Sequence, residues 1–256
     1  QVAQHASITA AKWAELITKT ANAASHQGTA VTAISSPTSG GKIVYLSALP
    51  VNLTNIYNGR NNAAAQGTTS TTTTTNSTNG LTQYMTFTHT VTFANGDAAR
   101  YFFNAGGQIL LTFSHPSGLG GINDLLNTLL AAAGTIYFSA PSSGSVTIAG
   151  TSFNGVSKVG GAGVEGTNWT RGTNVGYYAL TTANQALFNQ VAASGLAKYL
   201  ATYVNVQVKS NGTQGSNGDT GSVITFTTTI DEVPDALAIA TGTAVSVTVK
   251  PPAATY

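Results

Sequence analysis

Between Leu81 and Ser139 the spacing of apolar residues switches repeatedly between a period of two and a period near 3.6, which predicts alternating strands and helices. In LTQYMTFTHTVTFA, Met85, Phe87, Val91 and Phe93 alternate with Tyr84, Thr86, Thr88, Thr90 and Thr92, the signature of a half-buried strand that also turns His89 inward. Asn95-Gly96 breaks the strand. Asp97 then stands where it can cap a short helix whose Ala98, Tyr101, Phe102 and Ala105 keep i, i+3, i+4, i+7 spacing, with Gly106 as a left-handed stop. The rival reading makes Ala99 to Phe103 the second arm of a hairpin; the spacing favours the helix. QILLTFS follows as a strand, INDLLNTLLAAAG as a helix with Ile122, Leu125, Leu126, Leu129, Leu130 and Ala133 on one face and Gly134 at its end, and TIYFS as a further strand.

Before this stretch, Thr9 can cap a helix reaching roughly Ser25, with Trp13, Leu16, Ile17, Ala21 and Ala24 on one narrow face. Residues 29 to 41 read as a loop, KIVYLS as a short strand, and Pro50 to Asn62 as a second helix with Leu53, Ile56 and Tyr57 inward. From Gly67 to Gly80 the chain is nearly pure Thr, Ser and Asn, a composition that predicts a linker with a bias toward extended conformations. Beyond the central stretch, SVTIAGTSF reads as a strand and residues 154 to 174 as a long loop around Trp169. YYALTTANQALFNQVAASG reads as a helix, with Thr182 and Gln185 in capping-box spacing, Leu187 and Val191 one turn apart and Gly195 as its stop. Three strands then place Leu200, Val204, Val206 and Val208, next Ile224, Phe226 and Ile230, and last Val245, Val247 and Val249 inward. Joined by turns such as Ser216 to Asp219, they should form an antiparallel meander. The whole predicts an α+β protein with a mainly antiparallel sheet core and several short helices. It divides into an N-terminal helical segment (1–66), a Thr-rich linker (67–80) and a core domain (81–256).

Composition sharpens the class. Charged residues make up 7% of the 256, against about 25% in an average globular chain. Solubility therefore rests on short neutral polar side chains, which suit contacts between copies without unpaired buried charge. The ten basic residues are scattered from Lys12 to Lys250, so no patch gathers phosphates and nucleic acid is not an expected partner. No Cys is present, and no apolar run approaches the roughly 20 residues that span a bilayer, so membrane insertion is not expected. The chain opens at Gln1 without a basic or apolar leader, which reads as a processed product or a piece of a longer polypeptide.

Motifs that could carry chemistry have simpler readings. Gly161 to Gly166 spells G-x-G-x-x-G, but TNWTRGTN follows where a dinucleotide site needs a helix, so a loop is expected. Gly118 to Gly121 could offer bare amides to an anion, yet no Lys or Arg is close by, and a helix-start turn fits better. Gly150 to Asn154 lacks the second glycine of a nucleophile elbow. His5, His26, His89 and His115 show no metal-ligand spacing, and His89 reads as a core imidazole. Asp231, Glu232 and Asp235 could bind Ca²⁺ but lack an ordered ligand ladder, so a solvated turn is expected. Asn52, Asn76, Asn168 and Asn211 head glycosylation sequons that arise readily in so Thr- and Asn-rich a chain. Accordingly no catalytic, cofactor-binding or metal-binding residue is assigned.

FTHTVTFANGDAARYFFNAGGQILLTFSH, LLAAAGTIYFS, GYYALTTANQALF and VSVTVKPPAATY, with ITAAKWAELITKTANAASHQG near the start, resemble segments of tailed-bacteriophage virion structural proteins, a group of tail, neck and fibre components. The match is most specific from Asp97 to Gln108. The resemblance implies a non-enzymatic virion subunit that binds copies of itself and other virion proteins, with no catalytic residues to transfer and no cofactor. The alternative is a receptor- or glycan-binding surface module, a phage adhesin or a cell-surface adhesin, for which Tyr84, Trp169, Tyr177 and Tyr178 would have to be exposed to stack on sugar; their burial favours the subunit.

Overall fold

A computed structural model of the chain describes residues 9–27, 29–36, 38, 48–59, 68–76, 84–140, 146–148, 151–153, 155–173, 175–192, 202–214, 219–231 and 241–252. The chain divides into two compact units, one spanning Gln1–Ala63 with Gly215–Asp219 and Tyr256, the other Ala64–Gln214 with Thr220–Thr255.

The first unit has two helices among its described residues. Helix α1 (Ala10–Gln27) begins where expected: the Lys12 amide donates to Thr9 Oγ1 at 3.2 Å and the Trp13 amide to Thr9 O at 3.1 Å. Its buried positions are Ile17, Thr20 and Ala24, so the face is turned from the predicted one and leaves Leu16 and Ala21 exposed. Helix α2 (Ala48–Asn58) starts two residues before Pro50 and buries Leu49 and Asn52 instead of Leu53, Ile56 and Tyr57. The reason is polar: the Asn52 amide clamps the Thr32 backbone, accepting from its N–H at 2.9 Å and donating to its carbonyl at 2.8 Å. That pins the helix by its Asn52 side. The KIVYLS segment lies outside the described residues.

The second unit is α+β. One sheet has the order β1 (Ser70–Thr75), β12 (Ala244–Lys250), β3 (Gln108–Ser114), β4 (Thr135–Phe138), β7 (Val156–Val159). The other runs β2 (Tyr84–Thr92), β11 (Val223–Asp231), β10 (Tyr203–Ser210), β9 (Gln185–Val191), β8 (Trp169–Arg171), and every pairing in both is antiparallel. The inner faces share one core, where Phe138 of the first sheet meets Phe226 of the second edge to face at 5.5 Å. Helix α4 (Ile122–Ala133) packs Leu125, Leu126, Leu129, Leu130 and Ala133 into this core as its spacing predicts, against β3 of one sheet and β9 and β10 of the other.

Helix α3 (Gly96–Asn104) forms, and the hairpin alternative does not, but two details differ from expectation. The cap is Asn95, whose Oδ1 accepts from the Ala98 amide at 2.8 Å, while Asp97 sits in the first turn and pairs with Arg100. The inward face is Ala99, Phe102 and Phe103, because the Phe102, Phe103, Phe138 and Tyr177 rings interlock there. Gly106, at φ +88°, completes the predicted stop: its amide reaches Phe103 O at 3.0 Å and the Gly107 amide reaches Phe102 O at 2.9 Å, satisfying the last carbonyls.

Five further expectations are corrected. The tract read as a linker contains β1, since β-branched Thr favours extended backbone and β12 offers it a free edge. Their outer hydroxyls pair, Thr71 with Thr248 and Thr73 with Ser246, each at 2.8 Å. The helix expected over the Gln185 region is strand β9: pairing with β10 outweighs the local spacing, and the Gln185 side chain bonds back to the Thr181 amide at 2.8 Å and the Ala179 carbonyl at 2.9 Å. SVTIAGTSF holds a two-stranded hairpin, β5 (Val146–Ile148) with β6 (Thr151–Phe153), and the loop around Trp169 contains β7 and β8. The last predicted strands do not form one meander: β10 and β11 are neighbours, but β12 belongs to the other sheet. Residues 216 to 218 of their predicted turn lie outside the described residues, as does Leu200.

Candidate interaction site

The two sheets end, on one side, in β1 and β2, and there a cleft of about 490 Å³ separates them. Register decides what lines it. Ser70, Thr72 and Thr74 pair with Val249, Val247 and Val245, so these hydroxyls lie on the inner face while Thr71 and Thr73 face outward. On the facing wall β2 alternates strictly, burying Met85, Phe87, His89 and Val91 and exposing the intervening Tyr84, Thr86, Thr88, Thr90 and Thr92. Val247 and Val249 of β12, Val91 of β2 and Phe93 just after it give the cleft an apolar floor. A second hollow of about 310 Å³, lined by residues 74–76 and 84–87, continues it along the same two strands.

His89 is the cleft's polar centre. It is 4% exposed, and neither ring nitrogen has a hydrogen-bond partner. Burial pushes its pKa below the ordinary histidine value; the nearby Val245 backbone opposes that shift without reaching hydrogen-bond geometry at the ring. The imidazole is thus held neutral, with one donor and one acceptor unused. Among the described residues no charged side chain lines either hollow.

On the opposite side, β7 and β8 end the sheets differently. The Arg171 guanidinium donates from Nη1 to Val156 O at 3.2 Å and pairs through Nε with Glu165 at 2.7 Å, tying β8 to β7. The Lys158 ammonium lies 5.1 Å from the centre of the Trp169 ring and donates to Ala162 O at 2.7 Å. The glycines of G-x-G-x-x-G lie in the loop of this closure, with no helix after them. Gly161, at φ +69°, lies so close to the end of α4 that a Cβ would stand 2.2 Å from Ala132 O, and the Ala162 amide donates to that same carbonyl at 3.0 Å.

The other nominated groups that the structure describes make local contacts. His115 bridges Thr243 Oγ1 at 2.7 Å and Asn123 Oδ1 at 3.1 Å, and burial is the main cause of its lowered pKa. The amide of Gly118 is occupied by the Asp124 carboxylate at 3.1 Å, which fills the turn where an anion could have sat. Asp231 hydrogen-bonds Tyr203 at the end of β10 and raises that phenol's pKa, while Glu232, Asp235 and His5 lie outside the described residues; among the described residues no three potential ligands converge on a metal position. Asn168 Oδ1 accepts from the Val164 amide at 3.2 Å, and Asn211 Oδ1 accepts from the Ser222 and Val223 amides, both at 2.9 Å. Arg100, 1% exposed, holds Asp97 at 2.5 Å with Nε and Nη1 left unpartnered beneath the aromatic cluster. No helix among the described residues is long and apolar enough to cross a membrane.

Sequence reasoning turned His89 inward but assigned no role to Ser70, Thr72 and Thr74; a run of β-branched residues was the available signal. Searches against known protein families, curated proteins and solved structures find no match to this chain.

Proposed function

We propose that the chain is a non-enzymatic structural subunit of a bacteriophage virion, a tail, neck or fibre component that assembles through contacts between its own copies. The virion context comes from the resemblance of the segments around Asp97 to Gln108. The observation that carries the choice between subunit and glycan-binding module is the fate of the four nominated rings. Tyr177 is 0% exposed and stacks on Phe103 at 4.5 Å, Tyr178 packs against it with its hydroxyl on Asn104, and Trp169 lies against Phe188 under Lys158. Only Tyr84 of the four stands out from the surface, and one ring makes a poor platform for sugar. The helical unit adds support: it exposes Leu16, Val51, Leu53 and Tyr57, while its buried apolar residues among those described are Ile17, Ala24 and Leu49. Such a unit gains more from a neighbour than from itself.

Antibodies raised against the purified chain and imaged on phage particles by electron microscopy test the reading. Labelling at a fixed, repeated position is expected, and particles that carry no label overturn it. Deleting residues 1 to 66 should leave the sheets folded and shift the assembly to a smaller species by light scattering.

A further inference from the structure

We propose that the cleft between β1 and β2 is a strand-acceptor groove that takes an uncharged, extended segment from a second copy of this chain. The proposal deepens the reading of the chain as a self-assembling subunit and rests on it. Both walls are edge strands, and among the described residues no strand pairs with the backbone N–H and C=O groups on the side away from either sheet, a ladder that fits another strand. β1 offers six residues and β2 nine, enough for an incoming segment about 20 Å long. The apolar floor of Val247 and Val249 receives alternate side chains, and the Ser70, Thr72 and Thr74 hydroxyls line the wall beside it.

Charge chooses the occupant. A Lys or Glu pointing into this lining would be desolvated without a counter-charge, whereas Thr, Ser, Val or Ala would not. This chain, with ten basic and eight acidic residues in 256, is rich in segments of that kind. It also contains a working example of the contact, the β1–β12 ladder with its paired hydroxyls at 2.8 Å. The contrast with the other side excludes neglect as the explanation: β7 and β8 carry Lys158 and Arg171, the kind of residue that blocks strand addition, and β1 carries none.

The test follows amide hydrogen exchange of the full chain by NMR or mass spectrometry across a dilution series whose oligomeric state is read by light scattering. In the assembled form the edge amides of Ser70–Thr75 and Tyr84–Thr92 should exchange at least about tenfold more slowly than in the dilute form, a change of about 1.4 kcal/mol in opening free energy. Thr72→Lys, which puts a charge on the inner face, should abolish that protection and reduce the assembly, while Thr73→Lys, one residue away on the outer face, should leave both. An assembly whose edge amides exchange as in the dilute chain, or which survives Thr72→Lys unchanged, overturns the groove and leaves the subunit reading standing. A full chain that stays monomeric at every concentration overturns both.

Discussion

The two ends of the sheet pair solve the same physical problem in opposite ways. Every open sheet has edges whose unpaired backbone invites another strand. At β7 and β8 the chain places Lys158, Glu165 and Arg171, bridges the two strands with a guanidinium, and lays a glycine loop against α4. At β1 and β2 it places only Thr, Ser and Tyr on the outside and leaves a cleft with an unpartnered histidine between them. In a chain with so few charges, their concentration at one edge marks that edge as protected, and their absence at the other marks it as available.

The inner position of each edge strand breaks or upholds this contrast most sharply. Val156 of β7 is 1% exposed, so Val156→Lys buries an unpaired ammonium in the shared core and should destabilise by more than about 4 kcal/mol, seen as loss of the cooperative thermal transition. Next in size, Gly161→Ala forces a methyl against Ala132 O at a positive φ and should cost about 2–3 kcal/mol in urea unfolding. Arg171→Ala removes a partly exposed ion pair and one bond to Val156 O, for about 1–2 kcal/mol. If none of these variants lowers stability, the β7–β8 side is not a closed edge.

How much of this was legible beforehand follows from which faces each strand buries. β2, β10, β11 and β12 each bury one face and expose the other more, so Met85 to Val91, Val204 to Val208, Ile224 to Ile230 and Val245 to Val249 display a clean period of two. β9 buries Leu187 and Phe188 side by side, and its spacing imitates a helix. β1 buries neither face, so its Thr run has no period at all. Sheet membership is a long-range choice: nothing in AVSVTVK says that it pairs with QILLTFS and STTTTT instead of continuing from β11. The cleft depended on that choice. His89 could be turned inward from its own strand, but its lack of partners became visible only once β1 had joined β12 across from it.

Protonation probes the open edge more gently, against a second buried histidine beyond β3, in the middle of its sheet. His89 and His115 both have folded pKa values pushed below the unfolded value, chiefly by burial. The unfolded chain therefore binds more protons, and stability is full above about pH 6.5 and drains away as pH falls from there toward the depressed folded values. Tm should drop by a few degrees between pH 7 and pH 5, roughly 2–4 °C per kcal/mol for a chain of this size. His89→Phe, which also removes two unsatisfied buried nitrogens from the open edge, should flatten part of that slope and match or exceed the parent at pH 7. A slope that the variant leaves untouched would assign the whole effect to His115.

The smallest expected effect is the most telling, because it repeats the first substitution at the other edge. Thr72 occupies the inner face of β1 as Val156 does that of β7, yet its side chain is exposed. In the dilute, unassembled chain Thr72→Lys should therefore change unfolding free energy by no more than about 0.5 kcal/mol, since the long side chain can carry its ammonium out into the cleft and to water. The measurement is a pair of urea curves at the lowest workable concentration. A cost approaching that of Val156→Lys would mean that β1 already faces a closed interior in the single chain, leaving no room for an incoming strand; a cost near zero in dilute solution, together with lost assembly at high concentration, separates the two edges as one that completes the fold and one that extends it.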